Sequence, residues 1–273
     1  MPVVIRFRPG VCVVRRDADH LQIGLDPPHR VLVTDSPEVQ AVLDAIGRGR
    51  PLPELTATTQ ECVDRLIDAG LLAHAHTRQD ADRRRAAAEV QVFGPWRAAA
   101  GRLLAEAGVR VRPATAGAAM PRDAGSAEAP DVVLLTSVGE IDREVVDDYQ
   151  RTGQPHLAVA GVDGKLRVGP FVVPGQTACL RCLDASWTVQ DPRRAVIVSQ
   201  YATSETWCEP PDGLLLTLAL AWAVRDVVTH LEGGHPATWS RTVEIDDRLE
   251  PVTTSWLRHP HCGCAWGDLL ASG

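Results

Sequence analysis

The chain has 273 residues, room for one large domain or two modest ones with a real core. Its 28 basic and 35 acidic side chains leave a formal charge of −7, which argues against a general binder of phosphate backbones. The longest strongly apolar run, residues 214–224, is well short of the roughly twenty residues that a bilayer span needs, and no basic-then-apolar leader opens the chain. The expectation is a cytoplasmic protein with neither membrane nor nucleic acid among its partners.

The first seventy-odd residues read as a compact unit. Residues 11–15 are β-branched and apolar, and Leu21, Ile23 and Leu25 alternate with polar or small residues as in a half-buried strand. A third short strand over residues 30–34 puts Val31 and Val33 on one face. Ser36 followed by Pro37 starts a helix whose apolar stripe is Val39, Val42, Leu43 and Ile46. Thr58 with Glu61 suggests a capping box for a second helix, with Val63, Leu66 and Ile67 behind it and Gly70 at its end. Three strands followed by helices, three of each in the full reading, describe a small winged-helix-like domain over residues 1–76. Residues 77–88, with Asp80, Asp82 and Arg83 to Arg85, read as a solvated linker or exposed helix.

From residue 89 strands alternate with helices. Strands are expected at 90–93, 109–112, 132–135, 156–160 and 165–173, the last as a hairpin after Asp163 and Gly164. Helices are expected after Gly94, over 140–151, and over 213–231, the last apolar on nearly every side at its start and so buried. Short strands at 243–245 and 252–256 finish the pattern. The whole implies an α/β domain over residues 89–273 with a mostly parallel sheet.

Cys12 and Cys62 stand alone in apolar surroundings, where a small buried thiol is the ordinary role. The informative cysteines come later. Cys179 and Cys182 are paired with Cys262 and Cys264 about eighty residues on, and two such pairs can meet to supply the four thiolates of a structural zinc site. His259 and His261 flank the second pair as substitute ligands, and a redox or metal-free cluster is the other alternative. A closed four-coordinate site would staple the fold without catalysing.

Gly94 sits where a nucleotide-binding α/β fold keeps its glycine-rich phosphate loop, but the run is Val92-Phe-Gly-Pro-Trp-Arg-Ala98. One glycine survives, bulky Trp96 stands where a phosphate would press in, and no acid ends the second strand to hold a ribose. ATP is therefore not expected as a cofactor. Cys208 lies just before the long helix, where a helix dipole lowers a thiol pKa, and is the one weak candidate for a catalytic nucleophile.

Cys179-x-x-Cys182, the Cys208-Glu-Pro-Pro-Asp-Gly run into a long apolar helix, and His259-Pro-His-Cys-Gly-Cys264 together resemble the E1-like (ThiF/MoeB-type) superfamily over residues 89–266. That family adenylates the C-terminus of a peptide or small protein and holds zinc with two such cysteine pairs. The degenerate loop, and the 85 residues between Gly94 and Cys179, resemble one branch in particular: the ocin-ThiF-like or cyclodehydratase C-type partner proteins of azoline peptide biosynthesis. The resemblance implies an N-terminal RiPP recognition element that binds the leader of a ribosomally made precursor peptide. It implies presentation of that precursor to a separate YcaO-type cyclodehydratase, and a homodimer.

On that resemblance the third strand, Arg30, Val31, Leu32, Val33 and Thr34, is an edge that takes an extended peptide as an added strand, with Arg65 and Asp68 of the following helix as rim contacts. DNA binding, which winged helices also perform, is disfavoured by a candidate recognition helix, residues 59–69, whose one arginine is outnumbered by acids. The alternative function is an active adenylating enzyme with Cys208 as acceptor thiol.

Overall fold

The computed structural model describes residues 4–113, 129–203, 209–260 and 262–265. The chain divides into two compact units, Met1–Arg83 and Arg84–Gly273.

In the first unit β1 (Ile5–Phe7) is followed by β2 (Val13–Arg15), β3 (His20–Ile23) and β4 (Val31–Thr34), then α1 (Pro37–Arg48), α2 (Ala57–Asp68) and β5 (Leu72–His74). Strands β2, β3 and β4 form an antiparallel meander in that order, and β1 pairs with β5 as a separate antiparallel ribbon. Leu21 lies opposite Val33 and Ile23 opposite Val31. These four side chains form the core with Ile5, the α1 stripe and Val63 and Leu66 of α2. Ser36 caps α1, accepting from the Val39 amide at 3.3 Å.

Four local expectations fail here. The capping box is made by Thr56 and Thr59, because Thr56 is the last residue with extended backbone and Thr58 already lies inside the helix. Ile67 is 53% exposed, and Cys62 takes its expected place in the core. Cys12 is exposed. Leu25 is solvent-facing because β3 stops at Ile23; Gly24 follows at φ +77°, where a Cβ would meet the His29 carbonyl oxygen at 2.0 Å.

The segment expected as a solvated linker or exposed helix is the helix α3 (Ala75–Ala87), which runs through the boundary between the units. The second unit then contains β6 (Glu89–Phe93), α4 (Arg97–Glu106), β7 (Arg110–Arg112), β8 (Val132–Val138), α5 (Arg143–Thr152), β9 (His156–Val162), β10 (Lys165–Val172), α6 (Leu180–Thr188), α7 (Arg194–Thr203), α8 (Gly213–Leu231), β11 (Arg241–Ile245) and β12 (Val252–Ser255). One seven-stranded sheet runs β12-β11-β10-β9-β8-β6-β7. Helices α4 and α8 cover one face of it, α5 and α6 the other.

The sheet is less parallel than expected. Strands β7, β6, β8 and β9 are mutually parallel, whereas β10, β11 and β12 continue antiparallel. For β10 the cause is the expected turn at Asp163 and Gly164, both at positive φ, which reverses the chain in too few residues for a crossover helix.

By length and composition α8 does reach what a bilayer span needs. Its Leu215, Ala219, Leu220, Ala223 and Val227 pack instead into the core of the sheet, and Asp226 is buried among the loop amides of Ala237 and Thr238. Its start is not buried all round: Leu214 is 83% exposed.

Candidate metal centre and strand-end crevice

After β10 the chain turns into α6 with Cys179 at the N-cap and Cys182 in the first turn. A second turn, closed by the Cys262 amide on the His259 carbonyl at 2.9 Å, brings Cys262 and Cys264 against them. The Sγ atoms stand 3.7 Å apart for Cys179 and Cys182, 3.5 Å for Cys179 and Cys262, and 3.3 Å for Cys182 and Cys264. All four lie within 4.8 Å of one another. Tetrahedral zinc with bonds of about 2.3 Å to sulfur places its ligands about 3.8 Å apart, so the donor set fits a tetrahedral metal with sub-ångström adjustment.

Val172 and Ala178 wall the cluster on the inside, and the His259 amide donates to Cys182 Sγ at 3.3 Å. The Cys179 thiol, donating to Cys182, drives the Cys182 pKa far below the usual thiol range and its own far above it. Four thiols in so small a volume cannot all ionise unaided, because each thiolate repels the next. A cation removes that repulsion, and the cluster could hold a metal ion. Cys179, Cys262 and Cys264 also border a cavity of about 530 Å³, with Arg181 bidentate on Asp147 at its rim. His259 contributes its backbone amide to the cluster; His261 and Cys208 lie outside the described residues.

The opposite, carboxyl end of the parallel strands is where this kind of fold keeps its ligand crevice, at the point where strand order reverses. Here that point lies between β6 and β8. Gly94 leaves β6 at φ +98°, so close to β8 that a Cβ would fall 1.7 Å from the Thr136 carbonyl oxygen. Thr136 Oγ1 donates to the Phe93 carbonyl at 2.8 Å and accepts from the Trp96 amide at 3.2 Å. Trp96 is only 7% exposed, and a Cβ on Gly161 of β9 would lie 3.3 Å from its ring and 3.7 Å from Pro211. The first turn after β6 is thus closed onto the sheet by a threonine and filled by an indole.

Beside it lies an ionic network that the sequence reading missed. Glu140 is buried and accepts from Arg143 at 3.0 Å, Arg167 at 2.8 Å and Arg194 at 3.4 Å. Asp184 of α6 takes Arg143 in a bidentate pair at 2.7 and 3.0 Å, and Glu244 of β11 takes Arg167 at 3.0 Å. Burial by itself would raise the Glu140 pKa, but the Arg143 and Arg167 guanidiniums outweigh it and hold the carboxyl below its ordinary value. Apart from Glu140 and Arg143, three residues apart, no spacing rule links residues 140, 143, 167, 184, 194 and 244. Only the folded sheet brings them together.

In the first unit, β4 pairs with β3 alone among the described residues, so its outer edge is open. Val31 and Val33 point into the core, Leu32 is half-buried, and Arg30 and Thr34 are exposed. Arg65 and Asp68 lie exposed on α2, whose Val63 and Leu66 pack into the same core as β4.

No protein-family model matches the chain, and no curated protein matches it. Solved structures do. The heterocyclase TruD superposes with a TM-score of 0.67 at 16% identity, over 97% of this chain and 43% of that one. E. coli MccB superposes with a TM-score of 0.62 at 11% identity, over 96% of both chains. MccB with AMPCPP and MccA gives 0.65 at 11% identity, over 96% of this chain and 99% of that one.

The chain has the fold that these heterocyclase and MccB structures share. It spans less than half the length of the heterocyclase chains, which include one in complex with substrate and cofactor. Identity at this level speaks for the fold, and both units fall within it, since the match covers nearly the whole chain. Of the residues singled out from sequence, the fold gathers the four cysteines into one centre and places Arg65 and Asp68 on the helix packed beside β4.

Proposed function

We propose that this protein binds the leader of a ribosomally made precursor peptide through residues 1–76 and presents it to a YcaO-type cyclodehydratase, without turning over substrate itself. The observation that carries the reading is the fold shared with the heterocyclase TruD along 97% of this chain. In this reading the open edge of β4, from Arg30 through Val31, Leu32 and Val33 to Thr34, adds the leader as a further strand, and Arg65 and Asp68 contact its rim. The four-cysteine centre holds zinc as a structural staple. The protein acts as a homodimeric cytoplasmic scaffold with no nucleotide of its own.

The closed turn after β6 supports the absence of adenylation. Phosphate binding at such a turn needs free amides and close backbone approach, whereas the Trp96 amide is engaged by Thr136 and the indole fills the space. The competing reading, an adenylating enzyme using Cys208, draws on MccB having been captured with AMPCPP and MccA.

The test is a fluorescence-anisotropy titration of the labelled leader encoded beside this protein, against the full chain, together with ATP–pyrophosphate exchange in the presence of the same precursor. Leader binding without exchange is the expected result. Exchange above the no-enzyme background would overturn the scaffold reading, and absence of leader binding would overturn the recognition role.

A further inference from the structure

The first unit has a second open edge, and a groove lies beside it. Strand β2 also pairs on one side only among the described residues. The Gly24 amide donates to the Cys12 carbonyl and the Arg16 amide to the His20 carbonyl, so the even-numbered residues of this strand face β3. By the alternation of an antiparallel ladder, the N–H and C=O of Val13 and Arg15 face outward.

Next to this edge a cavity of about 360 Å³ lies between the sheet and α1. Its floor is apolar, from Phe7, Val11, Val13, Leu21 and Leu43. Along α1 it runs from Gln40 to Arg48, about 12 Å of helix, which matches about four residues of extended chain. Gly47 widens it. Glycine is a poor choice inside a helix, yet a Cβ there would meet nothing nearer than Phe7 at 3.9 Å. The missing side chain leaves space that packing does not demand.

The rim is basic. Arg48 and Arg50 share a single carboxylate, Asp44. Arg6 donates to the Arg48 carbonyl and Arg16 to the Gln22 side chain, and neither has a carboxylate partner among the described residues. The helix beside β4 has the opposite balance, with Glu61, Asp64 and Asp68 against Arg65.

We infer that the β2 edge and the α1 groove form a docking site for an extended peptide segment with apolar side chains at alternate positions and acidic residues flanking them. The backbone groups of Val13 and Arg15 extend the sheet into the segment. Its apolar side chains enter the groove over Gly47, and its carboxylates meet Arg6, Arg16 and Arg48. This inference rests on the peptide-binding reading above and adds a separate place and a chemical class.

The experiment is a phage-displayed library of random peptides about ten residues long, selected on the immobilised full chain, with enriched peptides titrated by anisotropy. Two variants separate the edges. Gly47→Leu fills the groove with a better helix former, so the fold is kept, and thermal denaturation checks it. Leu32→Pro removes an outward amide of β4 without touching its ladder with β3. We expect enriched peptides to carry apolar residues at alternate positions flanked by acidic ones, and to lose at least about tenfold in affinity with Gly47→Leu. Leu32→Pro should leave them unchanged, and replacing their glutamates by glutamine should weaken them. Loss with Leu32→Pro but not Gly47→Leu would overturn this site and leave strand addition at β4 standing. Enrichment of basic peptides would overturn the chemical class. Failure to enrich any peptide would overturn both this site and the reading it rests on.

Discussion

The two ends of the large sheet were built by different means. At the amino-terminal end of the parallel strands, past Val172 and beside His156, four thiols from two short turns converge on one point. At the carboxyl end, an indole and a threonine close the first turn after β6 and a six-membered set of acids and arginines lies beside them, while a cavity of about 490 Å³ stays open past the ends of β8 and β9. One end is organised by a single chemical element repeated at short spacing, the other by complementary groups scattered over a hundred residues. The first could hold a cation that relieves repulsion among its thiolates, and the second carries its own counter-charges.

The largest effect should come from the thiol end. Cys182→Ser should abolish binding of one metal per chain, read by elemental analysis, and destabilise the fold by more than about 4 kcal/mol, since losing a structural metal belongs with the severest single changes. A variant that keeps its melting temperature would show the cluster to be an ordinary thiol packing, and the contrast between the ends would collapse.

At the other end, Arg143→Met strips Asp184 of its bidentate partner and leaves Glu140 with Arg167 and Arg194. Breaking a buried pair in this way costs about 3–5 kcal/mol, measurable by urea denaturation. The sign of the pH dependence follows from the direction of the Glu140 shift. Its folded pKa is lowered, so its contribution is present above the ordinary carboxylate value and is lost as pH falls through the folded one. Glu140→Gln should therefore flatten the acid limb of the stability curve.

His156 gives the thiol end a pH signature of its own. It is fully buried, its Nδ1 meets the Gln154 carbonyl at 2.9 Å, and its Nε2 has no partner among the described residues. Burial lowers its pKa from 6.5 to about 4. Between those values the unfolded chain binds a proton that the folded one refuses, so stability falls as pH drops through that window, by roughly 3 kcal/mol in all. His156→Phe should remove that slope while leaving the Glu140 limb in place. If both slopes vanish together, the two ends are coupled.

The smallest effect expected is at Thr136. Thr136→Val keeps the volume and removes the hydroxyl that bridges Phe93 and Trp96, at a cost of about 1–3 kcal/mol for buried groups left unpaired. A cost near zero would mean that the indole alone holds the crevice shut.

The legibility of the two ends differed for the same physical reason. Cys179, Cys182, Cys262 and Cys264 are a rare residue type at close spacing, and such pairs have few other uses. Trp96 could be flagged because one turn of sequence carries both the missing glycines and the bulky ring. Glu140, Arg143, Asp184 and Arg194 are common residues at unremarkable spacing, and α6 and α7 have short, mixed faces that no period marks. In the small unit, the ribbon of β1 and β5 escaped notice because three residues are too few to show alternation.

By itself the sequence determined the alternation of strands and helices, the long apolar helix over residues 213–231, the four-thiol set and the closed glycine turn. These are local facts, set by periodicity, capping and spacing within a few residues. Tertiary structure alone decided that β11 would join β10 antiparallel, that Leu214 and Ile67 would face solvent, and that Glu140 would meet Arg167 and Arg194. Each depends on which distant segment arrives beside it, and burial and Coulomb energy act between neighbours in space, whatever their separation along the chain.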